Sequence, residues 1–108
     1  MNGTILSENN PAAAAGREAE TVRAKQAADE HIGELRRRID EIDDTLIQLW
    51  LERAAISHEV GATRVAAGGT RLVLSREQEI LSRFRSALGQ DGTALAMLIL
   101  RAGRGKLV

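Results

Sequence analysis

The sequence predicts an all-α protein with three helices per chain (long, short, short), intertwined with a second copy as a homodimeric helical bundle. Three observations predict it. Ala, Leu, Ile, Arg and Glu dominate, while the 108 residues hold one Trp, one Phe, one Pro and no Tyr, a composition of helix formers poor in strand-favouring aromatics. Apolar residues recur at alternating spacings of three and four between Ile32 and Thr63, which is the period of one helical face. Glycines and polar capping residues stand where that period breaks.

A chain of this length has room for a single core. From residue 1 to 29 the large apolar residues are Met1, Ile5, Leu6 and Val22, too few to bury a face, so this part is expected to be a flexible N-terminal tail, with transient helix in the Ala-rich run from Ala12. Residues 30–108 form the expected domain. Asp29 is positioned to cap a helix that runs to about Ala67, where Gly68 and Gly69 stop it. Its seam is Ile32, Leu35, Ile39, Ile42, Leu46, Leu49, Arg53, Ile56, Val60 and Thr63.

A helix of about 38 residues is roughly 57 Å long, whereas a compact domain of this size has a radius of gyration of about 13 Å. Its own chain cannot cover it. Beyond the Gly68 to Leu74 loop, Ser75 and Gln78 have the spacing of a capping box, and Ile80, Leu81, Phe84 and Leu88 form the stripe of a second helix ended by Gly89. Asp91 is positioned to cap a third, which carries Leu95, Leu98 and Ile99 and closes at Gly103 and Gly105. Two short helices leave much of the long one bare, and pairing two long helices is the economical way to bury the seam.

Fifteen basic and fifteen acidic side chains cancel, which argues against a general polyanion binder. The Arg36, Arg37, Arg38 run is followed by Asp40, Glu41, Asp43 and Asp44, so it reads as a solvated, self-paired face and not a nucleic-acid patch. With no Cys and only His31 and His58, thiolate metal sites, cysteine nucleophiles and disulfides are excluded, and no metal or cofactor is expected. His58 reads as a solvent-facing helix residue, His31 as incidental at the helix start, and Trp50 as a core or dimer contact. Nothing reads as a membrane span or secretion signal, so a cytoplasmic protein is expected.

Arg53 breaks the aliphatic seam, and an unpaired buried guanidinium costs several kcal/mol. It requires an anion. Two sources stand open: a carboxylate across the dimer, such as Glu52 or Asp43, or a bound ligand. Arg64 lies eleven residues on, which returns it to the same helix face about 16 Å along the axis. The gap between two such side chains suits a small dicarboxylate. In an antiparallel pair, Arg36 can enter the partner's site, giving a shared pocket. Such an inventory binds and polarises an anion but has little means of covalent attack.

The stretch from Leu35 through Ile39, Asp40, Ile42, Asp43, Leu46, Leu49, Arg53, Ser57, Gly61 and Arg64, the Gly68-Gly69-Thr70-Arg71-Leu72-Val73 loop, Ser75-Arg76-Glu77 and the final Arg101-Ala102-Gly103-Arg104-Gly105 resembles the all-helical chorismate mutase family. More narrowly, it resembles the short stand-alone subclass that works with 3-deoxy-D-arabino-heptulosonate 7-phosphate (DAHP) synthase. The resemblance covers residue 30 to the C-terminus. It implies conversion of chorismate to prephenate in the shikimate pathway to phenylalanine and tyrosine. It also implies that Arg36 reaches a substrate carboxylate from the partner chain, that Arg53 holds carboxylate within its own subunit, and that Arg64 contacts a carboxylate and the ether oxygen. Glu77 matches the acid on the ring hydroxyl, and Arg76 an arginine that binds or supports the site. Glu77 at a helix start also suits the helix dipole without any further role.

Two departures stand out against fused members of the family. Val73 replaces an acid near the ring hydroxyl, and the helix from Thr93 to Arg104 has no Gln for the ether oxygen, with Arg104 a candidate stand-in. The resemblance therefore implies modest activity alone and activation by the synthase, through the C-terminal tail and the 68–74 loop. A helical interaction module with a merely paired Arg53, and an isochorismate pyruvate lyase on a similar scaffold, remain the alternatives.

Overall fold

A computed structural model of the chain describes residues 10–105. Among them are three helices, α1 (Pro11–Ala66), α2 (Leu74–Leu88) and α3 (Gln90–Arg104), and no strand. The all-α class and the long, short, short order of helices are as the sequence predicts. Two compact units meet between Asp43 and Asp44; the first contains the N-terminal part of α1, and the second contains the rest of α1 with α2 and α3.

The start of α1 corrects the expectation of a cap at Asp29. Asn10 accepts the Ala12 N–H on its Oδ1 at 3.0 Å, and its carbonyl accepts the Ala14 N–H at 3.0 Å. Pro11 follows at the first helical position, where its missing N–H costs nothing, and the Ala12 to Ala15 run has the best intrinsic propensity. Capping and propensity thus set this end, where burial alone predicts none. His31 accordingly sits inside the helix and not at its start. Residues 1–9, with Met1, Ile5 and Leu6, lie outside the described residues, as do residues 106–108.

The charged run behaves as the sequence suggests. Arg38 Nη1 lies 3.0 Å from Glu41 Oε2, with both side chains exposed. The aliphatic residues of the seam are bare: Ile32, Leu35, Ile39, Ile42, Leu46, Leu49, Ile56 and Val60 are all exposed in the single chain.

In the second unit, α1 ends at Ala66 and Gly68 turns the chain with φ +87°, a conformation that costs glycine little. Here the expected capping box does not form. Val73 is the N-cap of α2 and no side chain caps it, which leaves Ser75 inside the first turn. Asp91 is likewise inside the first turn of α3, whose N-cap is Gly89. With one residue between α2 and α3, there is no length for a separate polar cap.

The two short helices pack on each other and bury Ile80 and Ala96. Gly92, also buried, leaves no room for a side chain between them: a Cβ there would overlap the Phe84 carbonyl and lie 2.9 Å from Leu88 Cβ. Gly92→Ala should therefore lower stability by about 1–3 kcal/mol through overpacking. Gly33→Ala, at a helical position with nothing within 4 Å, should raise it by roughly 0.5–1 kcal/mol. Denaturant midpoints of the two variants should move in opposite directions.

Candidate active site

Within the second unit, α1, the loop, α2 and α3 line a cavity of about 410 Å³, a size that suits a small-molecule ligand. Arg53, Arg64, Arg71, Arg76 and Arg104 share its wall with one carboxylate, Glu77. That imbalance favours an anion.

Arg53 carries the largest unmet demand. Its Nη1 is buried without a hydrogen-bond partner, the one such side-chain atom among the described residues. Burial lowers its pKa first, and the like charges of Arg76 and Arg83 lower it further. A buried donor left unpaired costs about 1–3 kcal/mol, and a charged one more. A ligand carboxylate would remove both penalties.

Arg64 is the basic residue of the last turn of α1. Its carbonyl accepts the Gly69 N–H at 2.8 Å, and its Cγ lies only 2.9 Å from where a Cβ on Gly69 would stand. Glycine at 69 therefore lets the loop fold back over the arginine stem. Val73 lines the cavity half-buried at the start of α2. Arg76 also lines it, with Nη1 3.2 Å from Glu79 Oε1 in an exposed pair.

Glu77, in the first turn of α2, has a side chain only 17% exposed. Its Oε1 accepts from Arg104 Nε at 3.2 Å and also from Arg104 Nη2. Arg104, the candidate stand-in for a third-helix Gln, is thus engaged with Glu77. Of the residues singled out from the sequence, Arg53, Arg64, Val73, Arg76 and Glu77 come together in this cavity. Arg36 lies exposed on α1 in the first unit.

Sequence reasoning did not assign Arg71 to the wall, because its role depends on a loop fold that no helical period encodes. His58 is exposed, as expected, and stands at the cavity beside Gly105. Ser57 packs against Gly103, where a Cβ would come within 2.8 Å of its own Cβ.

A second, apolar cavity of about 330 Å³ is lined by Leu46, Leu49, Trp50, Ala54, Phe84, Leu95 and Ile99, together with Arg53. Arg53 thus borders both cavities. Among the described residues no helix is long and apolar enough to cross a membrane.

Comparison with known proteins gives the scaffold a family. The family model for chorismate mutase type II matches residues 35–99. The intracellular chorismate mutase of Mycolicibacterium smegmatis is 51% identical over 76 residues, covering 70% of this chain and 73% of that protein. That of Mycobacterium tuberculosis (strain H37Rv) is 49% identical over 76 residues, covering 70% and 71%. Among solved structures, a chain from the non-covalent complex of DAHP synthase and chorismate mutase from Corynebacterium glutamicum, with a bound transition state analog, superposes with a TM-score of 0.70. It is 42% identical, and the match covers 75% of this chain and 98% of that one. With the arginine-lined cavity built from the matched segment and its immediate flank, this chain belongs to the chorismate mutase type II family.

Proposed function

We propose that this chain is a chorismate mutase, converting chorismate to prephenate, with its catalytic domain in residues 30–108 and an N-terminal extension in residues 1–29. The observation that carries the reading is the unpaired, buried Arg53 Nη1 in a cavity with five arginines and one carboxylate. The reaction is an intramolecular pericyclic rearrangement in which the ether C–O bond breaks as a C–C bond forms. No base or nucleophile is consumed. Holding the compact diaxial conformer and placing positive charge at the ether oxygen are what accelerate it.

In this reading Arg53 grips one substrate carboxylate in its own subunit, and Arg36 reaches a carboxylate from the partner chain. Arg64 meets a carboxylate and the ether oxygen as charge develops there. Glu77 accepts from the ring hydroxyl, Arg76 adds field at the cavity rim, and Val73 supplies an apolar wall. The assembly is a homodimer with shared sites, and the bare seam and the apolar cavity beside Trp50 support it. The protein acts in the cytoplasm, in the shikimate pathway, without a cofactor.

A DAHP synthase is the second partner, docking at the 68–74 loop and the C-terminal tail, whose last residues, Leu107 and Val108, lie outside the described part. The relative from Corynebacterium glutamicum in complex with that enzyme supports this, and so do the exposed Leu72 and Leu74. Ordering the loop that folds over Arg64 would preorganise the site and raise the rate without new chemistry.

Mixing the full chain with chorismate, and separately with isochorismate, each with and without the cognate synthase, tests the reading. Chorismate ultraviolet absorbance should fall, prephenate should appear in equal amount, and the rate should rise with synthase present. Pyruvate release from isochorismate in place of prephenate would assign the lyase reaction. No consumption of either compound in both conditions would leave a helical interaction module.

A further inference from the structure

The Arg104–Glu77 pair differs in kind from Arg38–Glu41 and Arg76–Glu79. Arg38–Glu41 and Arg76–Glu79 join residues three apart on one helix, with every side chain more than half exposed. Arg104 and Glu77 join the end of α3 to the start of α2, with side chains 37% and 17% exposed. Exposed pairs contribute little, whereas a pair sheltered from water is screened less and holds its geometry better.

The pairing is also lopsided. Arg104 Nε and Nη2 both donate to Oε1 of Glu77, so the other carboxylate oxygen, Oε2, keeps its acceptor capacity for a ligand hydroxyl. Four other arginines line the same cavity, and Arg104 is the one paired with this carboxylate.

The backbone that carries Arg104 is itself fixed. Gly103 is buried against Ser57 of α1, and Gly105 meets His58. The Arg104 carbonyl receives a long hydrogen bond from Arg71 Nη1 at 3.5 Å. Arg71 reaches it by crossing Gly61, the buried residue of α1, where an added Cβ would stand 3.1 Å from Arg71 Cγ.

We infer that Arg104 is a positioning residue: it holds one oxygen of Glu77 so that the other faces the substrate's ring hydroxyl, and Arg71 stations Arg104 from the loop. The inference rests on the chorismate mutase reading and goes beyond it, because Arg104 acts through Glu77 and touches no reacting atom. A guanidinium that donates through two N–H groups fixes direction as well as charge, which one ammonium does less well.

The test is a double-mutant cycle on the full-length protein, read in kcat and KM for chorismate, with thermal unfolding measured on each variant. Arg104→Gln should reduce kcat/KM by at least about tenfold, the scale of one charge-assisted hydrogen bond. It should change kcat and KM in the same proportion as Glu77→Gln does. Arg104→Lys should recover part of the loss. In the Glu77→Gln background, Arg104→Gln should cost almost nothing further, since the group it positions is already altered. Arg71→Ala, which removes only the outer support, should give a smaller loss that also disappears in that background. Should Arg104→Gln unfold, the Arg104→Lys and Arg71→Ala arms of the cycle decide alone.

A loss that persists in full on the Glu77→Gln background would overturn the inference and make Arg104 a direct contact. Unchanged kinetics in Arg104→Gln would overturn it as well. Both results presuppose turnover by the unmodified protein. Absence of prephenate from that protein, with synthase present, would instead overturn the mutase reading and the inference that depends on it.

Discussion

Arg53→Lys is expected to lower kcat/KM for chorismate by about 10- to 150-fold, or roughly 1.5–3 kcal/mol of transition-state stabilisation. Charge is conserved in this change. What is lost is the planar fork, which can place two N–H groups on one carboxylate, whereas an ammonium on a flexible stem meets it as a point. The Arg53 Nη1 is buried by the fold of the chain itself, so its desolvation is met by folding and does not recur on binding. Near-normal steady-state kinetics in the variant would assign Arg53 to the seam between subunits.

Leu46→Asp should dissociate or unfold the protein. On a single chain Leu46 is 58% exposed, and a surface substitution of that kind changes stability by no more than about 0.5 kcal/mol. In a dimer the same carboxylate would enter the apolar cavity with Leu49, Trp50 and Phe84, where an unpaired charge costs several kcal/mol. The size of the effect therefore reports the assembly directly. Light scattering of the wild type as a folded, active monomer, or a Leu46→Asp variant that keeps wild-type mass and activity, would refute it. The same arrangement predicts that Arg36→Ala and Arg64→Ala subunits, each inactive alone, regain about one working site per heterodimer when mixed.

How legible this was in the sequence varies by element. The seam and the ends at Gly68 and Gly89 could be read because period and glycine conformation are local properties. The caps could not: Ser75 and Asp91 have the chemistry of N-caps, but the connections are too tight for that chemistry to act, and Val73 and Gly89 hold those positions. At Pro11 the error ran the other way. A search for a buried face overlooks a helix that needs none, and Asn10 with four alanines after the proline suffices. In the site, Arg53 stood out as a cation among aliphatic residues, and Arg64 followed from helical phase. Arg71 and the true partner of Arg104 depend on contacts between elements, across 33 and 27 residues of sequence, which no periodicity records.

Arg53 borders both the polar cavity and the apolar one, so in the proposed dimer subunit and substrate would act as effectors of one another. Whatever fills the apolar side limits the rotamers open to the guanidinium, and whatever anion fills the polar side limits them again. Free energy coupled through one side chain is reciprocal: to the extent that a second copy tightens the grip on substrate, substrate tightens the grip on the second copy by the same factor. Dilution and substrate depletion would then reinforce each other, and activity per subunit would fall more steeply than concentration. A single arginine set among leucines in a heptad seam would thereby tie the catalytic state of the protein to its own abundance.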